Sequence, residues 1–300
     1  MTRRPAALLA GLWPVLALAQ PVMGTPPRHA PPTLAEVPNA QAITQRIWAP
    51  GIDDGYVPQG VAWAGGRLYL SAYRSTDPAV GQGPCRVFQI DPAHGTTLGW
   101  LDMPPGCGHA GGLVALDERT LVLGDTRGLY RIDLTAAFGP QPDAARAITA
   151  TVGLRGALKA SSMAFDGQRL LLATHAAQPA QALAHWLPLA VLDSHSGSDI
   201  DESAAAGRIA LPTKVQGTAF DSTGALWLST SDSRHGLLAR SDPPGQAPTA
   251  RHAMVIGIEG LAFDAQGALW SVSEAGSLRW QRWGVHYPVL FRIDPARLQD

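Results

Sequence analysis

The segment Val215–Asp221 has the sequence VQGTAFD, and related segments occur four more times along the 300-residue chain. They are Val57–Trp63 (VPQGVAW), Gly111–Ala115 (GGLVA), Ser161–Phe165 (SSMAF) and Ile258–Asp264 (IEGLAFD). Each copy precedes a short turn and a second apolar run of the form x-Leu-x-Leu. The copies recur at intervals of about 40–55 residues, which is a period typical of propeller blades. The repeat therefore predicts a β-propeller.

Each repeat divides into four strand-like segments, of which the repeated segment is the innermost. The second strands are predicted at Arg67–Ala72, Thr120–Gly124, Arg169–Thr174, Ala225–Thr230 and Ala268–Ser273. The third strands are predicted at Arg86–Pro92, Leu129–Leu134, Leu237–Pro243 and Val289–Pro295. The weaker fourth strands are predicted at Thr97–Met103, Arg146–Leu154, Gly207–Leu211 and Ala250–Ile256. No helical period of useful length follows the N-terminal apolar run, so the pattern predicts an all-β fold of four-stranded blades.

The last repeat lacks a fourth strand before Asp300. The segment Ala42–Trp48 (AITQRIW) precedes the first repeat and belongs to none of the other predicted strands. We expect it to pair with the last repeat and close the ring, because this pairing removes an exposed edge. Five repeats closed in this way predict five blades, and six blades are the alternative if the spacing conceals a degenerate repeat.

The N-terminus has the pattern of an export signal. Arg3 and Arg4 precede an apolar run, Ala6–Ala19, that ends in small residues. This pattern predicts a signal peptide over residues 1–19 and a periplasmic or secreted protein without a membrane span after cleavage. The alternative is a membrane anchor, for which the run is short. Residues 20–40 are rich in Pro and Ala and predict a mobile leader, which leaves residues 41–300 for the propeller domain.

Cys85 and Cys107 are the only cysteines of the chain. Export to an oxidising compartment favours their pairing in a disulfide, and two free buried thiols are the alternative. With 23 Lys and Arg against 24 Asp and Glu, and no basic run, the chain has no electrostatic signature of nucleic-acid binding. The composition leaves a small molecule, a glycan or a protein as partners and leaves the oligomeric state open.

Aligning the repeats places one polar residue of each copy at the mouth of the central channel. In the second copy this position is Gly111, and His109 lies two residues earlier on the same side of an extended segment. The predicted inner ring is Gln59, His109, Ser161, Gln216 and Glu259. A second ring, at the ends of the second strands, is Tyr73, Asp125, His175, Asp232 and Glu274. We predict that these residues bind the ligand of the protein.

His109 and Glu259 are the candidate catalytic residues. A carboxylate beside an imidazole can hold one tautomer, raise the pKa of the ring and support general-base chemistry. The alternative is a ring of side chains that satisfy one another and hold ordered water. Calcium needs six to eight oxygen ligands, but the inner ring offers one carboxylate and two amides. His109, His175 and Glu259 could instead bind zinc or copper, although their spacing carries no metal signature. The sequence therefore leaves open whether a metal is bound.

The segment Ser277–Tyr287 (SLRWQRWGVHY) lies between the second and third strands of the last repeat. Its two indoles, Trp280 and Trp283, can roof a pocket or stack on a sugar or aromatic ligand. The alternative is a plug that covers the end of the propeller. The segment Ala176–Trp186 is a second candidate lid.

Several of these phrases together support a resemblance to known propellers. They are Pro58-Gln59-Gly60, His109-Ala110-Gly111-Gly112, Gln216-Gly217, and Glu259-Gly260-Leu261 with Trp270 and Glu274. Over about residues 50–297 the chain resembles the superfamily of gluconolactonase-like, paraoxonase-like and strictosidine-synthase-like propellers, and more narrowly secreted bacterial propellers of unassigned function. The resemblance implies an axial calcium and hydrolysis of lactones or esters.

Glu259 matches one calcium-binding position implied by this resemblance, while Gln59, Ser161 and Gln216 depart from the pattern. The sequence therefore favours a non-catalytic propeller that binds its ligand at the mouth of the channel. The alternative is a metal-assisted lactone or ester hydrolase that uses His109 and Glu259. The sequence leaves open whether the protein is an enzyme.

Overall fold

The computed structural model describes residues 21–31, 33–79 and 83–300, so the predicted signal peptide lies outside the described residues. The first strands are β1 (Ile43–Trp48), β2 (Tyr56–Ala64), β3 (Arg67–Arg74), β4 (Cys85–Asp91), β5 (Thr96–Asp102), β6 (Gly112–Ala115), β7 (Thr120–Asp125), β8 (Gly128–Asp133), β9 (Ile148–Leu154) and β10 (Ser162–Phe165). The remaining strands are β11 (Arg169–Ala173), β12 (Leu183–Pro188), β13 (Ser198–Ile200), β14 (Gly207–Ala210), β15 (Val215–Phe220), β16 (Leu226–Ser231), β17 (Gly236–Ser241), β18 (Ala250–Met254), β19 (Ile258–Phe263), β20 (Leu269–Ser273) and β21 (Val289–Ile293). Short helices are α1 (Leu134–Phe138), α2 (Ala144–Ala147) and α3 (Val191–Ser194).

The strands form five sheets, which confirms the predicted propeller of five blades. The inner strands β2, β6, β10, β15 and β19 contact one another in a ring around the axis. Close packing at the axis requires glycine. A Cβ atom on Gly260 would lie 2.5 Å from the backbone nitrogen of Val61 and 2.7 Å from the Cα atom of Gly60. The repeated glycine of the inner strand thus permits neighbouring blades to approach.

The N-terminal strand closes the ring as predicted. β1 pairs antiparallel with β21, and the fifth sheet has the order β1-β21-β20-β19. Ile47 lies opposite Leu290, and both side chains are fully buried. The hydrogen-bonding edge of β21 is therefore covered by a strand from the other end of the domain.

The third blade differs from the sequence prediction. The segment Ala176–Trp186, expected to be a lid, contributes its second half to β12, which pairs with β11 and β14. Within β12, Ala184 and Leu187 are fully buried, which fits a strand that packs against the blade core. The lid interpretation was wrong for this half because small Ala residues weaken the alternation of apolar and polar side chains.

The second blade has a fifth strand that the sequence did not predict. β13 (Ser198–Ile200) pairs in parallel with β9 and extends the outer edge of this blade. The chain reaches it after β12 of the third blade and then returns to β14. A strand of three residues is too short to show a period, so only the tertiary pairing identifies it.

The described part of the Pro/Ala-rich segment contacts the propeller. Met23 forms a parallel bridge with Ile47, beside the closing strand. The imidazole Nε2 of His29 lies 2.9 Å from the carbonyl oxygen of Gly276, and Arg28 pairs with Asp53. These contacts hold the segment against the fifth blade and the start of the first, while the division of the chain at residue 41 stays a prediction. No helix in the described ranges is long and apolar enough to cross a membrane.

Cys85 and Cys107 form a disulfide, which confirms the predicted pairing. Cys85 begins the third strand of the first blade, and Cys107 lies in the loop that precedes the inner strand of the second blade. The bond therefore links two neighbouring blades and anchors the loop that contains His109.

Candidate functional site

A cavity of about 360 Å³ lies at the mouth of the channel, where the inner strands begin. It is lined by Gln59, Tyr73, His109, Thr126, Lys159, Ser161, His175, Gln216, Glu259, Glu274 and Trp280. All five residues of the predicted inner ring face this cavity, as do three residues of the second ring. The structure therefore brings most of the predicted site residues together.

Local irregularities of the inner strands place the ring residues. The register between the inner and second strands shifts at Gln59 in β2, at Gln216 in β15 and at Glu259 in β19. A β-bulge turns a side chain away from the alternation of a regular strand and bends the strand locally. The bulges thus direct three polar side chains toward the axis.

Glu259 and Glu274 form a buried acidic pair on the fifth blade. The Oε2 atom of Glu274 accepts hydrogen bonds from Nε1 of Trp280 at 2.7 Å and from Nε2 of Gln59 at 3.2 Å. Oε1 of Glu259 is buried and has no hydrogen-bond partner among the described residues. The two carboxyls thus differ, because Glu274 is held by neutral donors and Glu259 keeps a free acceptor.

Burial controls the protonation of this pair. Loss of water raises the pKa of Glu274 to about 7, although the bonds from Trp280 and Gln59 and the charge of Arg279 act in the opposite direction. Burial, together with the charge of Glu274, raises the pKa of Glu259 well above its ordinary value. Burial therefore favours the protonated form of Glu259, which donates as well as accepts hydrogen bonds.

The imidazole of His109 stacks on Tyr73, with ring centroids 5.0 Å apart and an interplanar angle of 24°. Burial lowers the pKa of His109 to about 4, and the carboxylate of Asp125 offsets this only in part. Its Nδ1 atom is buried without a hydrogen-bond partner among the described residues. A nearby carboxylate does act to raise the pKa of His109, but burial outweighs it, so the expected net rise does not occur.

Two acidic residues of the predicted second ring do not line the cavity. The carboxylate of Asp125 accepts the backbone N–H groups of Gly108 at 3.2 Å, His109 at 2.7 Å and Ala110 at 3.4 Å. Asp232 forms an ion pair with Lys214 at 2.7 Å. Asp125 thus positions the loop of His109, and Asp232 holds the equivalent loop of the fourth blade.

In the aromatic segment Ser277–Tyr287 of the last blade, one indole lines the cavity and the other packs behind it. Trp280 lines the cavity and donates to Glu274, while Trp283 stacks on Trp280 at 4.8 Å and is not part of the lining. The guanidinium of Arg279 lies 4.8 Å from the ring centre of Trp280 and donates to the carbonyl oxygen of Asp77. This bond to the first blade holds the segment beside the cavity.

Lys159 and Thr126 are lining residues that the sequence analysis missed. Lys159 lies two residues before Ser161, as His109 lies two residues before Gly111. The same spacing therefore predicts that their side chains share one face of an extended segment. This signal was available in the sequence, whereas Thr126 follows Asp125 at a strand end and has no pattern of its own.

The donor set does not fit the calcium site implied by the resemblance. Within the described ranges no group of three or more His, Cys, Asp and Glu side chains is arranged to hold a metal ion. The inner ring adds amide and hydroxyl oxygens, but only Glu259 brings a carboxyl group, and its raised pKa favours the neutral form. We therefore derive no chemical step through a metal.

A larger cavity, of about 660 Å³, lies away from the mouth between the third and fourth blades. Its carboxylates are already engaged, because Asp166 pairs with Arg169 and Asp221 pairs with Arg240. The indole of Trp186 is covered by Arg169 at 4.2 Å from the ring centre. The smaller cavity is the better candidate because it alone of the two contains the unpartnered atoms of Glu259 and His109.

No protein-family model matches the chain, and no curated protein matches it significantly. Among solved structures, the chain is similar to a glutaminyl cyclase of Myxococcus xanthus, with 12% identity, a TM-score of 0.53, and coverage of 84% of this chain and 94% of that one. It is also similar to a luciferin-regenerating enzyme, with 10% identity, a TM-score of 0.47, and coverage of 81% and 92%. At 12% identity the likeness to the glutaminyl cyclase concerns the fold alone, and the narrower superfamily stays a prediction.

Proposed function

We propose that this chain is an exported propeller that binds a small polar molecule, non-catalytically, at the mouth of its central channel. The observation that carries the proposal is the pair of buried, unpartnered polar atoms, Oε1 of Glu259 and Nδ1 of His109, in the lining of one cavity. A buried polar atom without a partner costs about 1–3 kcal/mol. A ligand that supplies the missing hydrogen bonds recovers this free energy.

The lining favours binding over acid–base chemistry. The lowered pKa of His109 keeps its imidazole neutral at neutral pH. Among the described residues no carboxylate hydrogen-bonds to the ring of His109, so the nucleophile–base–orienter arrangement of a hydrolase is missing here. The amide of Gln216 and the amide oxygen of Gln59 supply further polar groups for a ligand, since the NH2 group of Gln59 already donates to Pro58 and Glu274.

The test is a thermal-shift screen of the purified protein against a library of small metabolites and glycans. We expect at least one class of polar small molecule to raise the melting temperature. Gln216→Ala and His109→Phe should weaken that response while leaving the unliganded protein folded. A protein that binds none of these compounds would refute the proposed pocket.

The same protein should be offered lactone and ester substrates, with and without added calcium and zinc. We expect no turnover. Turnover that is lost in Glu259→Gln would instead establish the metal-assisted hydrolase. Export is tested separately, since mass spectrometry of the protein expressed with its own N-terminus should show cleavage after Ala19.

A further inference from the structure

Two ionisable groups of the cavity have no partner among the described residues, and they come from blades that are not neighbours. The ammonium of Lys159, before β10 in the third blade, lines the cavity and has no ion-pair partner within the described ranges. Glu259 lies in β19 of the fifth blade and keeps Oε1 free. The inner strand of the fourth blade contacts both inner strands and separates them along the ring.

On the acidic side of the cavity, the charge of Arg279 acts on Glu274, but the hydrogen bonds to Glu274 come from neutral groups. The hydrogen-bond donors to Glu274 are the neutral indole of Trp280 and the neutral amide of Gln59. Arg279 lies beside Trp280 and donates hydrogen bonds to the first blade, including one to the carbonyl oxygen of Pro78 at 3.3 Å. A ligand cation can therefore supply the charge that would stabilise the ionised pair.

The basic side differs from the equivalent position of the next blade. Lys159 and Lys214 each lie two residues before the ring residue of their repeat. Lys214 is neutralised by Asp232 at 2.7 Å, whereas Lys159 is not paired with any carboxylate of the described ranges. The third blade thus contributes the unpaired cation of Lys159 to the cavity, whereas the equivalent Lys214 of the fourth blade is paired with Asp232.

We propose that the cavity binds a small zwitterion, the size of an amino acid or a dipeptide, with its ammonium group against Glu259 and Glu274 and its carboxylate against Lys159. This proposal rests on the binding function proposed above and specifies its ligand. A cavity of about 360 Å³ lies within the range of small-molecule pockets. An ammonium group has three donors, which suit the free oxygen of Glu259 and the neighbouring carboxyl.

Ligands with one charge fit the cavity less well. A simple cation would add positive charge facing the unpaired Lys159. A simple anion could pair with Lys159, but it would bring negative charge into the same cavity as Glu259 and Glu274 and would offer these two residues no positive group. A ligand with opposite charges at its two ends can pair with the glutamates at one end and with Lys159 at the other. A ligand with a single charge leaves one of these sides unpaired, which disfavours its binding.

The experiment measures binding of free amino acids and dipeptides to the full-length mature protein by thermal shift and calorimetry. Each compound is paired with its N-acetyl form, which has no ammonium, and its C-terminal amide, which has no carboxylate. We expect at least one free compound to bind and each blocked form to bind about tenfold more weakly or worse.

Substitutions test which side of the cavity recognises the ligand carboxylate and which recognises the ligand ammonium. Lys159→Gln should bind the free compound and its amide equally, and Glu259→Gln should bind the free and N-acetyl forms equally. Lys214→Gln is the matched control, because its ammonium is already paired with Asp232, and it should keep both preferences. Lys159→Met provides a second variant, and circular dichroism confirms that each variant is folded.

Two results overturn the proposal: no free zwitterion binds, or blocked forms bind as tightly as free ones. If uncharged polar compounds still bind and respond to Gln216→Ala, the pocket stands and only the zwitterion is refuted. If no compound of either set binds, both proposals fail.

Discussion

At the scale of single residues, the site contains ionisable side chains whose burial disfavours their charged forms. The folded protein holds the proton of Glu274 to about pH 7, above the ordinary value of 4.5. A carboxyl that binds its proton more tightly when folded stabilises the protein at low pH. This contribution is lost as the pH rises from about 4.5 to about 7, since the unfolded chain ionises first. Such destabilisation at neutral pH is typical of functional sites.

Glu259→Gln should therefore raise the stability of the unliganded protein. The substitution keeps the shape of the side chain and removes the buried ionisable group and its repulsion with Glu274. At a pH of about 8 we expect the free energy of unfolding to rise by roughly 1–3 kcal/mol, since each pKa unit corresponds to about 1.4 kcal/mol. Urea unfolding across the pH range measures the effect.

The difference in the free energy of unfolding between Glu259→Gln and the parent should vanish at acidic pH. There Glu259 is protonated in both the folded and the unfolded parent protein. Glu118→Gln, in an exposed turn, is the control and should leave the pH profile unchanged. Parallel profiles for Glu259→Gln and the parent would show that the carboxyl is not perturbed by burial.

At the scale of strands and turns, the repeats share contacts as well as sequence. Asp221 accepts the indole N–H of Trp227 at 2.9 Å, and Asp264 accepts that of Trp270 at 3.1 Å. Both acids also accept backbone N–H groups of the turn that follows the inner strand. The D-x-x-G-A-L-W spacing thus joins the first turn of a blade to its second strand in two blades.

The closing strand is the element on which the ring depends. Ile47 is its fully buried residue, and it packs with Leu290 and Trp270 in one core cluster. Ile47→Ala should lower the free energy of unfolding by about 2–5 kcal/mol, because the cavity left behind forfeits packing as well as burial. Thr44→Ala, at a partly exposed position of the same strand, is the control and should cost less. Equal losses would show that burial in this strand does not hold the ring closed.

At the scale of the whole molecule, two different links stabilise the ring. One joins the two ends of the domain, and the other joins the first blade to the second. β1 ties the N-terminal end to β21, and the disulfide ties the first blade to the second across a separation of 22 residues. The bond also restrains the loop before β6, which contains His109. The disulfide is consistent with an extracellular or periplasmic protein, and the location itself stays a prediction.

Reduction of the disulfide should destabilise the molecule by about 3 kcal/mol in the chain-entropy account of a loop of this length. Guanidinium unfolding with and without a phosphine reductant measures the difference. The double substitution Cys85→Ala with Cys107→Ala is the control, and its stability should not respond to the reductant. A parent protein that is equally stable in both conditions would show that the bond contributes nothing to the folded state.

The sequence by itself determined a β-propeller, and it predicted the five blades, the closing strand and the disulfide that the structure confirms. Periodicity is a local property, and the pattern of apolar residues and turns repeats often enough to identify each blade. It also predicted the inner ring, because equivalent positions of a repeat converge on the axis. Even the bulges left a signal, since Gln59, Gln216 and Glu259 are each followed by glycine.

Only the tertiary structure decided which polar residues are engaged and which are free. Asp125 and Asp232 occupy predicted ring positions, yet backbone N–H groups and Lys214 take up their charge. Lys159 and Glu259 keep unpartnered groups in the cavity because, within the part of the chain that the structure describes, no complementary side chain reaches them. Hydrogen bonding, burial and the resulting pKa values depend on contacts between blades, which no single repeat encodes.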